Sequence, residues 1–156
     1  MEEENKKIRN ATKIIYKDIP FRSVLECNCY KLLEAEEDFN VEYETKKIVL
    51  LQGFYPSSSL IIYDLYKPRL KKRIFTLDTQ KILSMTYTPD FYFQYKDYEI
   101  YIESKGHPND TYPLKKKLFL AYLEKQIILT GKKFIFFEPH NKRQMKETIQ
   151  IIKSLV

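Results

Sequence analysis

Apolar positions repeat with helical spacing in three parts of the chain. Between about 23 and 36 they recur every three or four residues, which predicts a first helix. A second helix is predicted over 113–129, with Pro113 suited to its first turn and Gly131 suited to end it. An amphipathic stretch over 142–155 predicts a third helix.

Shorter runs of apolar and aromatic residues predict strands between these helices. We expect strands at about 40–45, 47–52, 60–63, 81–87, 90–95, 99–105 and 132–137. The order of helix, antiparallel strands, helix, strand and helix predicts a mixed α/β domain with one central mixed β-sheet flanked by helices. The 156 residues suffice for a single domain over 1–156, with 1–10 expected to be disordered.

The segment 86–106 predicts a β-hairpin that turns at 96–97. The register of this turn places Asp90 directly opposite Glu103. Residues so placed have Cβ atoms about 5 Å apart on one face of the sheet, where two carboxylates repel each other. A divalent cation between them would turn this repulsion into a binding site, and their hard oxygen ligands suit Mg²⁺ or Mn²⁺.

The two-residue period of a strand adds a lysine to this pair. Glu103 and Lys105 lie on the same face of the second strand, so an ammonium group is expected beside the two acids. A plain salt-bridged sheet face, in which Lys105 neutralises Asp90 and Glu103, is the structural alternative. A β-bulge would shift the register by one residue and remove the arrangement altogether.

The net charge and the cysteine content indicate which binding partners and which cellular compartment are compatible with the sequence. The net charge of +6 is compatible with phosphate binding. Cys27 and Cys29 lie two apart on the first helix, which favours reduced thiols in a cytoplasmic protein. No apolar run approaches the length of a membrane span, so no membrane partner is expected.

Two basic segments are candidates for contact with a nucleic acid backbone. In 67–73 five of seven residues are basic: Lys67, Arg69, Lys71, Lys72 and Arg73. This segment is either a phosphate-contacting arm or a charged strand edge that resists pairing. Lys115, Lys116 and Lys117 begin the second helix, where they either contact phosphates or form a charged, solvated helix face; their place at the positive end of the helix dipole favours an anion nearby.

Several short motifs resemble the PD-(D/E)XK nuclease superfamily. They are Pro89-Asp90 in the context Tyr-Thr-Pro-Asp-Phe, and Glu103-Ser104-Lys105 followed by glycine. With Phe21-Arg-Ser-Val-Leu-Glu26 and the basic helix that begins at Lys115, the chain resembles the small phage-encoded, Holliday-junction-resolvase-like endonucleases. The resemblance covers 14–137, and 54–80 departs from it as an insertion that carries the basic arm.

This resemblance implies a restriction-endonuclease-like core and Mg²⁺-dependent (or Mn²⁺-dependent) hydrolysis of DNA, with branched or junction DNA as a candidate substrate. Asp90 and Glu103 would be metal ligands, and the carbonyl of Ser104 would complete the site. Lys105 would orient or activate the attacking water or stabilise the phosphate. Glu26 would contribute from the first helix, to the metal or to a bridging water.

Other interpretations remain open at this level. Ser23-x-x-Glu26 is also a capping box, which would explain Glu26 without a metal. The chain could be a non-catalytic nucleic-acid-binding or structural protein that retains the nuclease fold, or a transposase-type or restriction-type cleavage subunit. A junction resolvase would be a symmetric homodimer. A phage-encoded enzyme would act in the cytoplasm of the host cell.

Overall fold

The structure is a computed structural model that describes residues 14–64, 75–106 and 109–156. The predicted disorder of 1–10 and the predicted basic arm at 67–73 lie outside these residues. The helices are α1 (Val24–Glu34), α2 (Tyr112–Thr130) and α3 (Lys142–Lys153). The strands are β1 (Ile14–Tyr16), β2 (Ile19–Phe21), β3 (Glu42–Tyr43), β4 (Ile48–Leu51), β5 (Ile62–Asp64), β6 (Thr76–Asp78), β7 (Met85–Tyr87), β8 (Phe91–Tyr95), β9 (Tyr98–Ile102) and β10 (Lys133–Phe137).

The chain forms two compact units. The first contains the described residues up to Lys47 together with Thr88–Val156, and the second is Ile48–Tyr87. Within the second unit, β4 pairs with β7 and β5 pairs with β6, both antiparallel. The expectation of one domain with an insertion at 54–80 stays a prediction.

The first unit contains a four-stranded mixed sheet in the order β10-β9-β8-β3. The β10–β9 pair is parallel, while β9–β8 and β8–β3 are antiparallel. The predicted mixed α/β class is therefore confirmed. This sheet is the expected central mixed sheet, but the described strands also form three separate two-stranded ladders, which the prediction of one sheet did not include. The strands of these three ladders are only three or four residues long, and each pairs with one neighbour.

Helices cover both faces of the four-stranded sheet. Phe91 and Ile102 point into a core formed with α1 and α3, where both are fully buried. On the opposite face, Tyr101 packs edge-on against Phe119 of α2, with ring centroids 5.3 Å apart. Because successive residues of a strand point to opposite faces, β9 must be apolar or aromatic at nearly every position.

Local capping signals explain why the helices begin and end where they do. Ser23 precedes α1, and its hydroxyl accepts a hydrogen bond from the Glu26 N–H at 3.2 Å. Gly131 ends α2 in the left-handed conformation, with φ of 67°, as its position after the apolar run predicted. Asn141 caps α3 in the same way as Ser23 caps α1. Each predicted helix is therefore found within a few residues of its expected bounds.

The strand predictions differ from the structure in four main places. The β1–β2 hairpin was missed because its turn residues, Lys17 and Asp18, adopt positive φ without the usual Asn-Gly signal. Strand β6 was also missed, and the strand expected over 81–87 is confined to Met85–Tyr87. The strand expected over 99–105 ends at Ile102, after which the chain continues to hydrogen-bond alongside the end of β10.

Two adjacent isoleucines of α3 provide a matched test of this core. Ile152 is 0% exposed within the core, whereas Ile151 is 51% exposed. We expect Ile152→Ala to lower the free energy of unfolding by about 2–5 kcal/mol, because it leaves a cavity. Ile151→Ala should change it by less than about 1 kcal/mol. Urea unfolding followed by circular dichroism measures both, and equal losses would contradict the placement of α3.

Candidate active site

The predicted register of the β8–β9 hairpin is confirmed. Tyr95 pairs with Tyr98 across the turn, and Phe91 pairs with Ile102 at the far end of the ladder. Gln94 pairs with Glu99 in the same ladder, and the Gln94 amide donates to the Glu99 carboxylate at 3.0 Å. Asp90 and Glu103 are therefore the next residues beyond the last pair of the ladder, on neighbouring strands.

An acidic residue lies one position beyond the paired end of every strand of the four-stranded sheet. Tyr43 of β3 pairs with Phe91 of β8, and Ile102 of β9 pairs with Phe137 of β10. The residues just outside these pairs form a row at one end of the sheet, which we call the acidic row: Glu44, Asp90, Glu103 and Glu138. The prediction named Asp90 and Glu103, and the pairing of the outer strands adds the other two.

Asp90 is 7% exposed and is held by the residue next to Glu103. One carboxylate oxygen, Oδ2, accepts hydrogen bonds from the Ser104 N–H at 2.8 Å and from the Ser104 hydroxyl at 2.7 Å. Burial raises the pKa of Asp90 well above its ordinary value, and the charges of Glu103 and Glu26 raise it further. The bonds from Ser104 act in the opposite direction without cancelling the rise. No ion pair to Asp90 is formed within the described residues.

Lys105 lies beside Glu103, as strand alternation predicted. Its Nζ donates to Glu103 Oε1 at 3.0 Å, and its side chain is 20% exposed. The N–H groups of Glu103 and Lys105 each donate at 3.0 Å to carbonyls of Phe137 and Pro139, which holds the backbone of this segment against the end of β10. The ion pair agrees with the salt-bridge interpretation for Glu103 but not for Asp90, and it leaves the catalytic interpretation open.

Glu26 has the capping role that the sequence suggested. Its carboxylate accepts from the Ser23 hydroxyl at 3.0 Å and from the backbone N–H of Arg22 at 3.1 Å. The Tyr43 hydroxyl donates to it at 2.7 Å, and burial followed by this bond raises the pKa of Tyr43. Glu26 nevertheless acts on the acidic row through its charge, which contributes to the raised pKa of Asp90. Its role as a metal ligand stays a prediction.

The two cysteines of α1 are free, as predicted, and both are buried. Burial raises the pKa of Cys29 to about 12, and the charges of Asp90 and Glu26 add to the rise. Cys29 is therefore held as a neutral thiol behind the acidic row, where it packs as a small apolar residue.

Glu44 is a member of the row that the sequence analysis missed. It follows β3 with a positive φ of 50°, and its N–H donates to the Asp90 carbonyl at 2.8 Å. Its Oε1 lies 2.9 Å from the Arg22 guanidinium, close enough for an ion pair but not aligned as a hydrogen bond. Burial raises the pKa of Glu44 against the effect of Arg22, and Glu26 and Glu103 raise it too. The sequence does place Glu44 directly after a strand. This position points to the site only when it is known that β3 pairs with β8.

Glu138, the second missed acid, is compensated by residues of α2 and of the following loop. It accepts from the Tyr112 hydroxyl, and it pairs with Lys116 at 2.8 Å and with His140 at 3.3 Å. Burial alone would raise the pKa of Glu138, but the bonds from Lys116 and Tyr112 together lower it. Lys116 is thus engaged within the protein, while Lys117 is solvent-exposed.

The donor chemistry of the acidic row fits a hard divalent cation. Asp90 and Glu103 offer carboxylate oxygens, and Ser104, the residue after Glu103, offers a backbone carbonyl. Such an ion would neutralise the excess negative charge of the buried carboxylates. As placed, no three Asp, Glu, His or Cys side chains among residues 14–64, 75–106 and 109–156 are grouped closely enough to hold one ion.

No model of a protein family, no curated protein and no solved structure matches this chain. The site is therefore interpreted from its own residues and their contacts. Within the part of the chain that the structure describes, no helix is long and apolar enough to cross a membrane.

The raised pKa of Asp90 predicts how its removal changes stability with pH. The folded protein binds this proton more tightly than the unfolded chain, so Asp90 destabilises the fold as pH rises above about 4. In the presence of a chelator, Asp90→Asn should be more stable than wild type at pH 7, by on the order of 1–2 kcal/mol. The difference should disappear towards pH 4.

Thermal unfolding at the two pH values measures this difference. Asp97→Asn is the matched control, because Asp97 is exposed in the hairpin turn and its loss should change stability by less than about 0.5 kcal/mol. If Asp90→Asn is clearly less stable than wild type at pH 7, the prediction that the ionised Asp90 carboxylate destabilises the fold is contradicted.

Proposed function

We propose that this chain is a metal-dependent endonuclease that hydrolyses DNA phosphodiester bonds, built on a restriction-endonuclease-like core of the PD-(D/E)XK type. The observation that carries the proposal is the adjacency of Asp90, Glu103 and Lys105 at one end of the four-stranded sheet. Two buried acids and a lysine in contact are costly for stability alone, and such groups are typical of functional sites.

The proposed ligands of a Mg²⁺ or Mn²⁺ ion are Asp90, Glu103 and the carbonyl of Ser104, with Glu26 acting directly or through a water. When bound, the ion would supply a more acidic water and neutralise charge on the phosphate. Ser104 positions Asp90 through its two hydrogen bonds, which hold one carboxylate oxygen in place. Glu44 adds negative charge close to Glu26 and Glu103, which increases the attraction for a cation.

Lys105 has the properties required of the group that acts on the reacting phosphate. Hydrolysis of a phosphodiester places additional negative charge on the phosphate oxygens, which a fixed ammonium stabilises. The side chain is held by Glu103 yet remains 20% exposed, so a substrate can approach it. Lys105 would orient the attacking water or stabilise the pentavalent phosphate.

The remaining assignments follow from this proposal. DNA is the proposed partner, supported by the net charge of +6 and by Lys115 and Lys117 on α2. Lys116 would serve the same purpose only by leaving Glu138. A symmetric homodimer is the proposed assembly, and a phage enzyme acting in the host cytoplasm is the proposed setting.

Cleavage assays with purified protein test the proposal. Wild type should cut DNA with Mg²⁺ or Mn²⁺ and lose activity when a chelator is added. Asp90→Asn and Lys105→Ala should each lower the cleavage rate by at least about 100-fold, since each removes a group that acts in the transition state. Asp97→Asn, at the exposed end of the same hairpin, should cut at the wild-type rate.

Circular dichroism must show that the two inactive variants are folded. Cutting by both at the wild-type rate would refute the assignment of the active site. Wild-type protein that binds DNA but cuts none of the substrates would favour the non-catalytic alternative.

Substrate shape is the second test. If the chain is related to junction resolvases as proposed, it should cut a four-way junction faster than a flap or a linear duplex of the same sequence. Light scattering should then show a dimer, because two symmetric incisions require two active sites. Equal rates on all three substrates, from a monomer, would contradict junction specificity and leave general nuclease activity in place.

A further inference from the structure

The ammonium group of Lys105 has a second neighbour that the proposed reaction does not explain. On one side it contacts Glu103, and on the other its Nζ lies 4.2 Å from the centre of the Tyr112 ring. A cation over an aromatic face at this distance is attracted by the negative face of the ring, most strongly where water is excluded. Tyr112 is 5% exposed, so this contact is largely shielded from solvent.

Hydrogen bonds hold Tyr112 both at its backbone and at its side-chain hydroxyl. It is the first residue of α2, and its backbone N–H donates to Asn109, at 3.1 Å to the carbonyl and 3.0 Å to the side-chain oxygen. Its hydroxyl donates to Glu138, which Lys116 holds in turn at 2.8 Å. The ring therefore cannot turn away from Lys105 without breaking contacts at its backbone or at its hydroxyl.

We propose that Tyr112 is a positioning residue for Lys105: its ring, anchored by Glu138, holds the ammonium beside Glu103 in the orientation that the reaction needs. The inference rests on the proposed nuclease function and deepens it. A free lysine side chain samples many rotamers, and holding it in advance removes that entropic cost from the reaction.

An aromatic ring suits this task better than a second carboxylate. It attracts the cation without forming a strong directional hydrogen bond, so the N–H groups of the ammonium remain able to donate to water or phosphate. The ring is also uncharged, so it adds nothing to the negative charge of the acidic row. The charge of the anchoring carboxylate, Glu138, is balanced by Lys116 at 2.8 Å.

Two substitutions separate the ring from its hydroxyl. Tyr112→Leu removes the aromatic face, and we expect kcat to fall roughly tenfold while KM changes less than about twofold. Tyr112→Phe keeps the face and loses only the bond to Glu138, so kcat should stay within about threefold of wild type. In the Lys105→Ala background, Tyr112→Leu should lower the residual kcat much less, because the ammonium that the ring holds is already gone.

Fluorinated phenylalanines at position 112 distinguish the ring's charge distribution from its packing. Fluorine atoms weaken the negative face while nearly preserving shape, so kcat should fall stepwise from Phe to its mono-, di- and trifluoro forms. This series also covers the case in which Tyr112→Leu fails to fold. A flat series, or wild-type kcat in folded Tyr112→Leu, would overturn the proposal.

A readout that does not depend on cleavage is the NMR signal of Lys105. In chelator-treated protein, the ring of Tyr112 should shift the Lys105 Hε protons upfield, and Tyr112→Leu should abolish that shift. Absence of the shift in wild type would refute the contact and the inference, even if wild type cuts DNA. Wild-type protein that shows the shift but never cuts DNA would refute the proposed function, and with it the positioning role.

Discussion

The pairing of β8 with β9 is the constraint on which the site depends. A slip of one residue would turn Phe91, Phe93, Ile100 and Ile102 out of the core, and each of these buried side chains contributes about 1.5–3 kcal/mol. Apolar residues that take no part in chemistry therefore hold the register. The same register carries Asp90 and Glu103 to adjacent positions beyond the ladder, so the position of these acids is enforced by the core.

The acidic row is stabilised by partners supplied from other elements. Ser104 bonds to Asp90, Lys105 pairs with Glu103, Arg22 pairs with Glu44, and α2 supplies Tyr112 and Lys116 to Glu138. Burial still raises the pKa of Asp90 and of Glu44, so the compensation is incomplete. Proteins tolerate such local destabilisation where function requires it, and the catalytic role is proposed on that ground.

Elements whose signals are local were predicted well. Ser23 and Gly131 mark the start of α1 and the end of α2, because a helix terminus is satisfied by groups within a few residues. The β1–β2 hairpin was missed because two ordinary residues occupy positive φ in its turn. The three separate two-stranded ladders were not expected, because alternation shows that a segment is a strand but does not say which strand it joins.

The candidate site likewise has one part that the sequence predicts and another that depends on tertiary structure. The adjacency of Asp90, Glu103 and Lys105 follows from one hairpin, in which a two-residue turn and strand alternation set every position, so it could be derived from the residues alone. Glu44, Glu138 and Tyr112 join the site through the strand order and through the packing of α2 beside it. These contacts link residues far apart in the chain, and hydrophobic periodicity carries no information about which distant segments meet. Only the folded structure could bring them together.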